Sequence, residues 1–161
     1  AGDFGTPEQQ IPATGLPGVD WETCMTICRQ WAWKPNDQLK SLEECVRTLV
    51  YTVGGDGNLL LNVGPDPRGE IPFEQERMLR ELGLWLFVNG EAIYRARPWI
   101  VPNEGDCWFT RAADADTLYA FLPADPSWKR GKRKSFVITS ARLTDASTIS
   151  RPKISSEPIP Q

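Results

Sequence analysis

The sequence predicts an α/β fold in which parallel βα units give way to an antiparallel sheet. Two observations carry this. Residues 21–90 show a strand pattern and then a helix pattern twice over. Such alternation builds a parallel sheet with helical crossovers. After Pro98 the chain shortens to apolar runs parted by Asp, Gly and Pro, the mark of antiparallel strands.

Each element has its own signal. Residues 2–12, GDFGTPEQQIP, precede the first plausible strand. Gly2, Gly5, Pro7 and Pro12 exclude a helix or a long strand there, so Glu8 sits on a stiff loop. Residues 13–20 continue as loop. Residues 21–28, WETCMTIC, mix aromatic, Thr and Ile side chains and predict a short strand. The corner Trp31-Ala32-Trp33 follows, and Lys34-Pro35-Asn36-Asp37 breaks the chain. Ser41 with Glu44 forms a capping box, so a helix is expected from near Leu42. Its apolar residues Leu42, Cys45, Val46, Leu49, Val50 and Val53 keep a helical spacing, and Gly54-Gly55 stops it. Residues 58–63, NLLLNV, form a short apolar run flanked by glycines, as expected of a parallel strand buried on both faces. The next helix pattern starts at Phe73, with Met78 or Trp85 joining Leu79, Leu82 and Leu86 as the inner stripe and Gly90 as the stop. Residues 107–111, 117–122 and 134–143 predict three short strands, and the proline-rich tail 152–161 predicts extended or frayed chain.

Composition narrows the chemistry. With 40% hydrophobic and 24% charged residues, the 161-residue chain can bury a core. A net charge of −3 argues against a nucleic-acid partner, and the basic run at 129–134 reads as a solvated turn. No apolar run approaches the length of a membrane span, and no signal peptide is visible. The chain contains no histidine, which excludes His-based triads and most catalytic zinc sites within it. Neither a metal nor a cofactor is expected. Cys24, Cys28, Cys45 and Cys107 follow no redox or zinc spacing and read as thiols packed inside.

Two strands cannot close a parallel sheet, and a (β/α)8 barrel takes about 250 residues. Three strands are also few for a sandwich. The expectation is therefore the last two βα units of a barrel (1–100) followed by a partial antiparallel β-sandwich (101–161), the back part of a larger enzyme cut at both ends. In such a barrel, function gathers where strands run into the following loops. Three segments land on that face: the Glu8 loop, residues 30–37 and residues 62–69. A carboxylate near exposed indole rings is a common arrangement in sugar sites, where rings cover a pyranose face and carboxylates act on the glycosidic oxygen.

DFGTPEQ, WETCMTI, the WAW corner, GGDGNLLLNVGPDPRGEIP and LGLWLFVNGEAIYRARPW together resemble the back half of the catalytic domain of α-L-fucosidases, glycoside hydrolase family 29. The resemblance is close over residues 2–100 and weaker through WKRGKRKSFVIT. It implies retaining hydrolysis of terminal α-linked L-fucose from a fucosylated glycan or fucoside. It places the general acid/base on Glu8 and the aromatic wall beside the sugar's C5 methyl on Trp31. Trp33, two residues on, is the second substrate-binding candidate and fits a packing role as well. The nucleophile Asp and the groups that grip the fucose hydroxyls would precede this chain, so the amino-terminal part of the same enzyme is the implied partner. The family also implies a secreted, periplasmic or lysosome-like location. The competing reading is a non-catalytic carbohydrate-binding or scaffold piece, motivated by seven tryptophans and the missing nucleophile.

Overall fold

The computed structural model describes residues 3–125, 127 and 135–140. The basic run at 129–134, Trp128 and the proline-rich tail lie outside the described residues. Two parallel strands, β1 (Glu22–Thr26) and β2 (Asn58–Asn62), are joined by helix α1 (Leu42–Gly54). Helix α2 (Phe73–Asn89) follows β2. An antiparallel meander closes the described fold: β3 (Ala96–Glu104), β4 (Cys107–Ala112) and β5 (Leu118–Phe121), in that order across the sheet.

The segment before β1 is more strand-like than its composition suggests. Gly5 and Glu8 form parallel bridges with Trp21 and Cys24. The ladder alternates as parallel pairing requires: Gly5 N donates to Asp20 O (2.7 Å), Glu22 N to Gly5 O (2.9 Å), Cys24 N to Pro7 O (3.3 Å) and Gln9 N to Cys24 O (3.0 Å). Pro7 takes part through its carbonyl alone, so its missing N–H costs the ladder nothing. Gln9 then turns away at φ 54°. The exclusion of a long strand holds, and the loop of Glu8 is nonetheless tied in register to β1.

Ser41 caps α1 as the sequence requires. Its hydroxyl accepts from Glu44 N (3.1 Å), and the Glu44 carboxylate accepts from Ser41 N (2.8 Å). α1 ends at Gly54, as the Gly-Gly pair predicts. The α2 stripe is likewise as read: Met78 and Leu82 are buried, and Leu79 and Leu86 pack against them. These residues join Ile27, Cys45 and Leu61 in one apolar layer between the parallel strands and the two helices. All four cysteines are free; Cys45 is buried and the others are half-buried.

Two expectations are corrected, and one strand, β3, went unread. β2 is not buried on both faces: Leu60 is 44% exposed, because among the described residues β2 pairs only with β1 and helices cover one side. Gly90 stops α2 as the sequence predicts, at φ −61°, and a 3₁₀ turn (Gly90–Ala92) follows. A Cβ there would stand 2.8 Å from the ring of the exposed Tyr94, which can turn aside. β3 went unread because Pro98 and Pro102 punctuate it; it is an edge strand with a register shift between Pro98 and Asn103, where missing donors do little harm. Finally, residues 135–140 of the expected last strand are not in a strand, and the rest of that stretch lies outside the described residues.

The meander sits on α1. Trp108 stacks on Tyr51 with centroids 3.7 Å apart, and buried Thr110 Oγ1 donates to Ala92 O at 2.8 Å. Trp85 of α2 meets Phe121 of β5 at 6.4 Å. Trp108 is thus a packing ring. Glu104 holds the segment at 139–140 by accepting from Thr139 N (2.8 Å) and Ser140 N (2.6 Å).

Two carboxylates gain acid sensitivity from these contacts. Hydrogen bonding from the Ser41 backbone and from Arg29 lowers Glu44 from 4.5 to about 2. Hydrogen bonding from Ser140 and then Thr139 lowers Glu104 from 4.5 to about 2. A depressed folded-state pKa contributes stability above pH 4.5 that is lost as pH falls through 2. We expect the melting temperature of Glu44→Gln to lie below that of the parent at about pH 6 and to converge with it near pH 2. Parallel pH profiles of the two proteins would reject the assignment.

Candidate active site

The register of the parallel strands decides which way each residue points. Cys24 lies opposite Leu60, and Glu8 lies opposite Cys24, so these three share one face. Leu61 and Ile27 belong to the apolar layer under the helices, which assigns the odd-numbered positions of β1 to the helix side. Glu8, Cys24 and Leu60 therefore stand on the face that the helices do not cover. Glu8 is also within two residues of where its strand-like segment ends. Its side chain is exposed and forms no hydrogen bond or ion pair among the described residues.

The tryptophan corner lies at the same end, on the loop that leaves β1. A short antiparallel rung closes the base of this loop: Cys28 bridges Leu39, Arg29 N donates to Gln38 O (3.0 Å) and Lys40 N to Ile27 O (2.9 Å). The Asp37 carboxylate accepts from Gln30 N (2.9 Å) and Gln38 N (2.7 Å). Asp37 N donates to Lys34 O across a turn whose third residue, Asn36, has φ 61°. Pro35 second and a left-handed Asn third suit this turn, which is why KPND breaks the chain.

The middle of the loop is held from β2. Asn62 Nδ2 donates to Trp31 O at 3.0 Å. Gly64 packs directly on the loop backbone: a Cβ there would stand 2.9 Å from Trp33 N. Gly64 is held in turn by Gln75, whose Oε1 accepts from Gly64 N (2.9 Å) and whose Nε2 donates to Gly64 O (3.4 Å). The rings themselves face outward, Trp31 at 73% exposure and Trp33 at 38%. In sequence, Asn62 and Gly64 stand out only as part of the 62–69 segment expected on the functional face. Gln75 was missed, although a polar residue on the inner stripe of α2, three before Met78, was the available signal.

The arrangement is an open face. It brings an unpaired carboxylate and two indoles to one end of the parallel strands without closing a pocket around them. Two cavities, of about 260 and 290 Å³, lie elsewhere, beside Tyr94 and Tyr119 and beside Cys107 and Phe136; none of Glu8, Trp31 and Trp33 lines either. No cluster of three or more His, Cys, Asp or Glu placed to hold a metal occurs among the described residues. Nor is any helix among them long and apolar enough to cross a membrane.

Comparison with known proteins identifies the family. A model of the α-L-fucosidase family matches residues 1–91. The plasma α-L-fucosidase of Homo sapiens is 40% identical over 128 residues, covering 75% of this chain and 27% of that protein. α-L-Fucosidase isoenzyme 1 from Paenibacillus thiaminolyticus superposes with a TM-score of 0.67 at 35% identity, over 71% of this chain and 28% of that one. A GH29 α-L-fucosidase from Bacteroides thetaiotaomicron, trapped as a covalent intermediate with 2-fluoro-fucosyl fluoride in a glutamate-to-glutamine mutant, superposes with a TM-score of 0.62 at 25% identity, over 68% of this chain and 27% of that one. The chain spans about a quarter of the length of these relatives. With the family model covering more than half of its residues and relatives agreeing beyond that, the chain belongs to the α-L-fucosidase family, glycoside hydrolase family 29.

Proposed function

We propose that residues 1–100 are the last two βα units of the (β/α)8 catalytic barrel of a retaining exo-α-L-fucosidase, and residues 101–161 the start of its β-sandwich. Glu8 is the general acid/base, and Trp31, with Trp33 beside it, forms the wall against the sugar. The nucleophilic Asp comes from polypeptide preceding this segment. The observation that carries this reading is the position of Glu8, near the end of a parallel ladder, on the helix-free face, at the same end as the two indoles. In a barrel that face is the interior, and that end is where catalysis occurs.

The chemistry follows in two steps. The Asp attacks C1 of the fucosyl unit while Glu8, protonated, gives its proton to the departing glycosidic oxygen. Glu8, now ionised, takes a proton from water, whose oxygen attacks C1 and expels the Asp carboxylate. Retention needs the two carboxyl groups about 5–5.5 Å apart. A relative trapped as a covalent intermediate with 2-fluoro-fucosyl fluoride supports the two-step scheme, which passes through a glycosyl-enzyme.

The isolated chain is expected to release no aryl alcohol from an aryl α-L-fucoside above background, since half of the carboxylate pair is absent. Substituted for the matching segment of the Paenibacillus thiaminolyticus enzyme, it is expected to restore hydrolysis. Turnover by the isolated chain would overturn the split of the pair. A folded but inert chimaera would overturn the assignment of residues 1–100.

A further inference from the structure

Gln75 is the one buried polar residue of α2, at 6% exposure. A buried primary amide is tolerated when both of its ends are bonded. Here both ends go to a single residue, Gly64, through its N–H at 2.9 Å and its carbonyl at 3.4 Å. Gly64 has no side chain to spend on further contacts. What it offers is its backbone, which lies so close to Trp33 N that a methyl group would not fit. Two residues earlier, Asn62 holds the Trp31 carbonyl. The start of α2, the exit of β2 and the tryptophan corner thus form one continuous set of contacts, with Gln75 at its buried end.

We propose that Gln75 is a positioning residue that sets where the Trp31 and Trp33 rings stand, and through them how tightly the enzyme holds the fucosyl unit. This rests on the reading of those rings as the sugar wall. Gln75 touches neither ring and lies on the helix side of the sheet, so its effect passes through Gly64. Losing the amide frees the loop after β2 to shift, and the corner shifts with it. Binding shared by ground state and transition state then weakens, while the proton transfer at Glu8 is left alone. Such a loss appears in KM rather than in kcat.

The test is made in the full-length enzyme that carries this segment, with an aryl α-L-fucoside as substrate. Gln75→Met is expected to raise KM about tenfold and to keep kcat within about threefold. With 5-fluorotryptophan incorporated, the ¹⁹F resonances of Trp31 and Trp33 are expected to move. In a Trp31→Ala/Trp33→Ala background, Gln75→Met is expected to raise KM no further, because the rings it positions are gone. An unchanged KM in Gln75→Met, or an equal rise with and without the rings, overturns the inference. If the double alanine variant alone leaves KM unchanged, the sugar-wall reading fails instead; still ¹⁹F resonances in Gln75→Met would then overturn the positioning role independently. Should Gln75→Met fail to fold, Gln75→Asn, which keeps the amide and shortens its reach by one methylene, is read in the same way.

Discussion

Glu8→Gln in the full-length enzyme is expected to lower the rate on natural fucosides by about 10²–10⁴-fold, the usual contribution of a positioned proton donor. Glutamine fills the same volume and has no proton to give to the leaving oxygen. The loss should be largest for sugar leaving groups, which depart as poor alkoxides. Aryl fucosides with acidic phenols need little protonation, so their first step should survive. Their second step still needs a base to activate water, and the fucosyl-enzyme should accumulate as a burst. Azide needs no such activation. Added azide is expected to accelerate turnover and to give a fucosyl azide of retained, α configuration, since it enters on the face the aglycone left. Near-parental rates on natural glycosides, or an azide product of inverted configuration, would remove Glu8 from the acid/base role.

The largest effect on stability is expected at Trp21. Among the described residues it is the largest fully buried side chain, 1% exposed, and its indole N–H donates to Gly55 O at 3.1 Å. The ring fills the space between the start of β1 and the glycine-rich exit of α1. A Cβ at Gly57 would stand 2.4 Å from the ring carbons, which is why the chain is GGDG there. Trp21→Ala is expected to cost about 3–5 kcal/mol through lost burial and the cavity left behind. That is a large share of a typical domain's stability. Gly57→Ala approaches the same contact from the other side and should cost about 1–3 kcal/mol by overpacking. Urea titrations followed by far-ultraviolet circular dichroism would measure both. Midpoints within error of the parent would show that the ring is not the wedge described here.

Much of this was legible in the sequence, for local reasons. The α1 boundaries follow from the Ser41–Glu44 box and the Gly54-Gly55 pair, and both determine their turns without outside help. The KPND turn and the stripe of α2 were readable on the same terms. What escaped depends on neighbours. Pro98 and Pro102 argue against a strand unless the strand is known to lie at an edge, and edge position is a property of the sheet. Leu60 reads as buried because an apolar run does not say which other strands stand beside it. The pairing of Gly5 and Glu8 with β1 is carried by carbonyls and amides that every sequence possesses, so no side-chain signal marks it. Glu8, Trp31 and Trp33 were legible as candidates because their residue types suit the chemistry. Gln75 was not, because its part is played through another residue's backbone.

The ladder between residues 5–9 and β1 has a consequence for how this segment tolerates change. No side-chain partner steers the Glu8 carboxylate; its direction is inherited from counting along a pleat. Swapping the identity of Thr6 should therefore matter little, whereas deleting or inserting one residue between Gly5 and Glu8 would turn the carboxylate to the helix side. Spacing is what this short stretch must preserve, and a library of single-residue indels across it would find activity confined to the parental length.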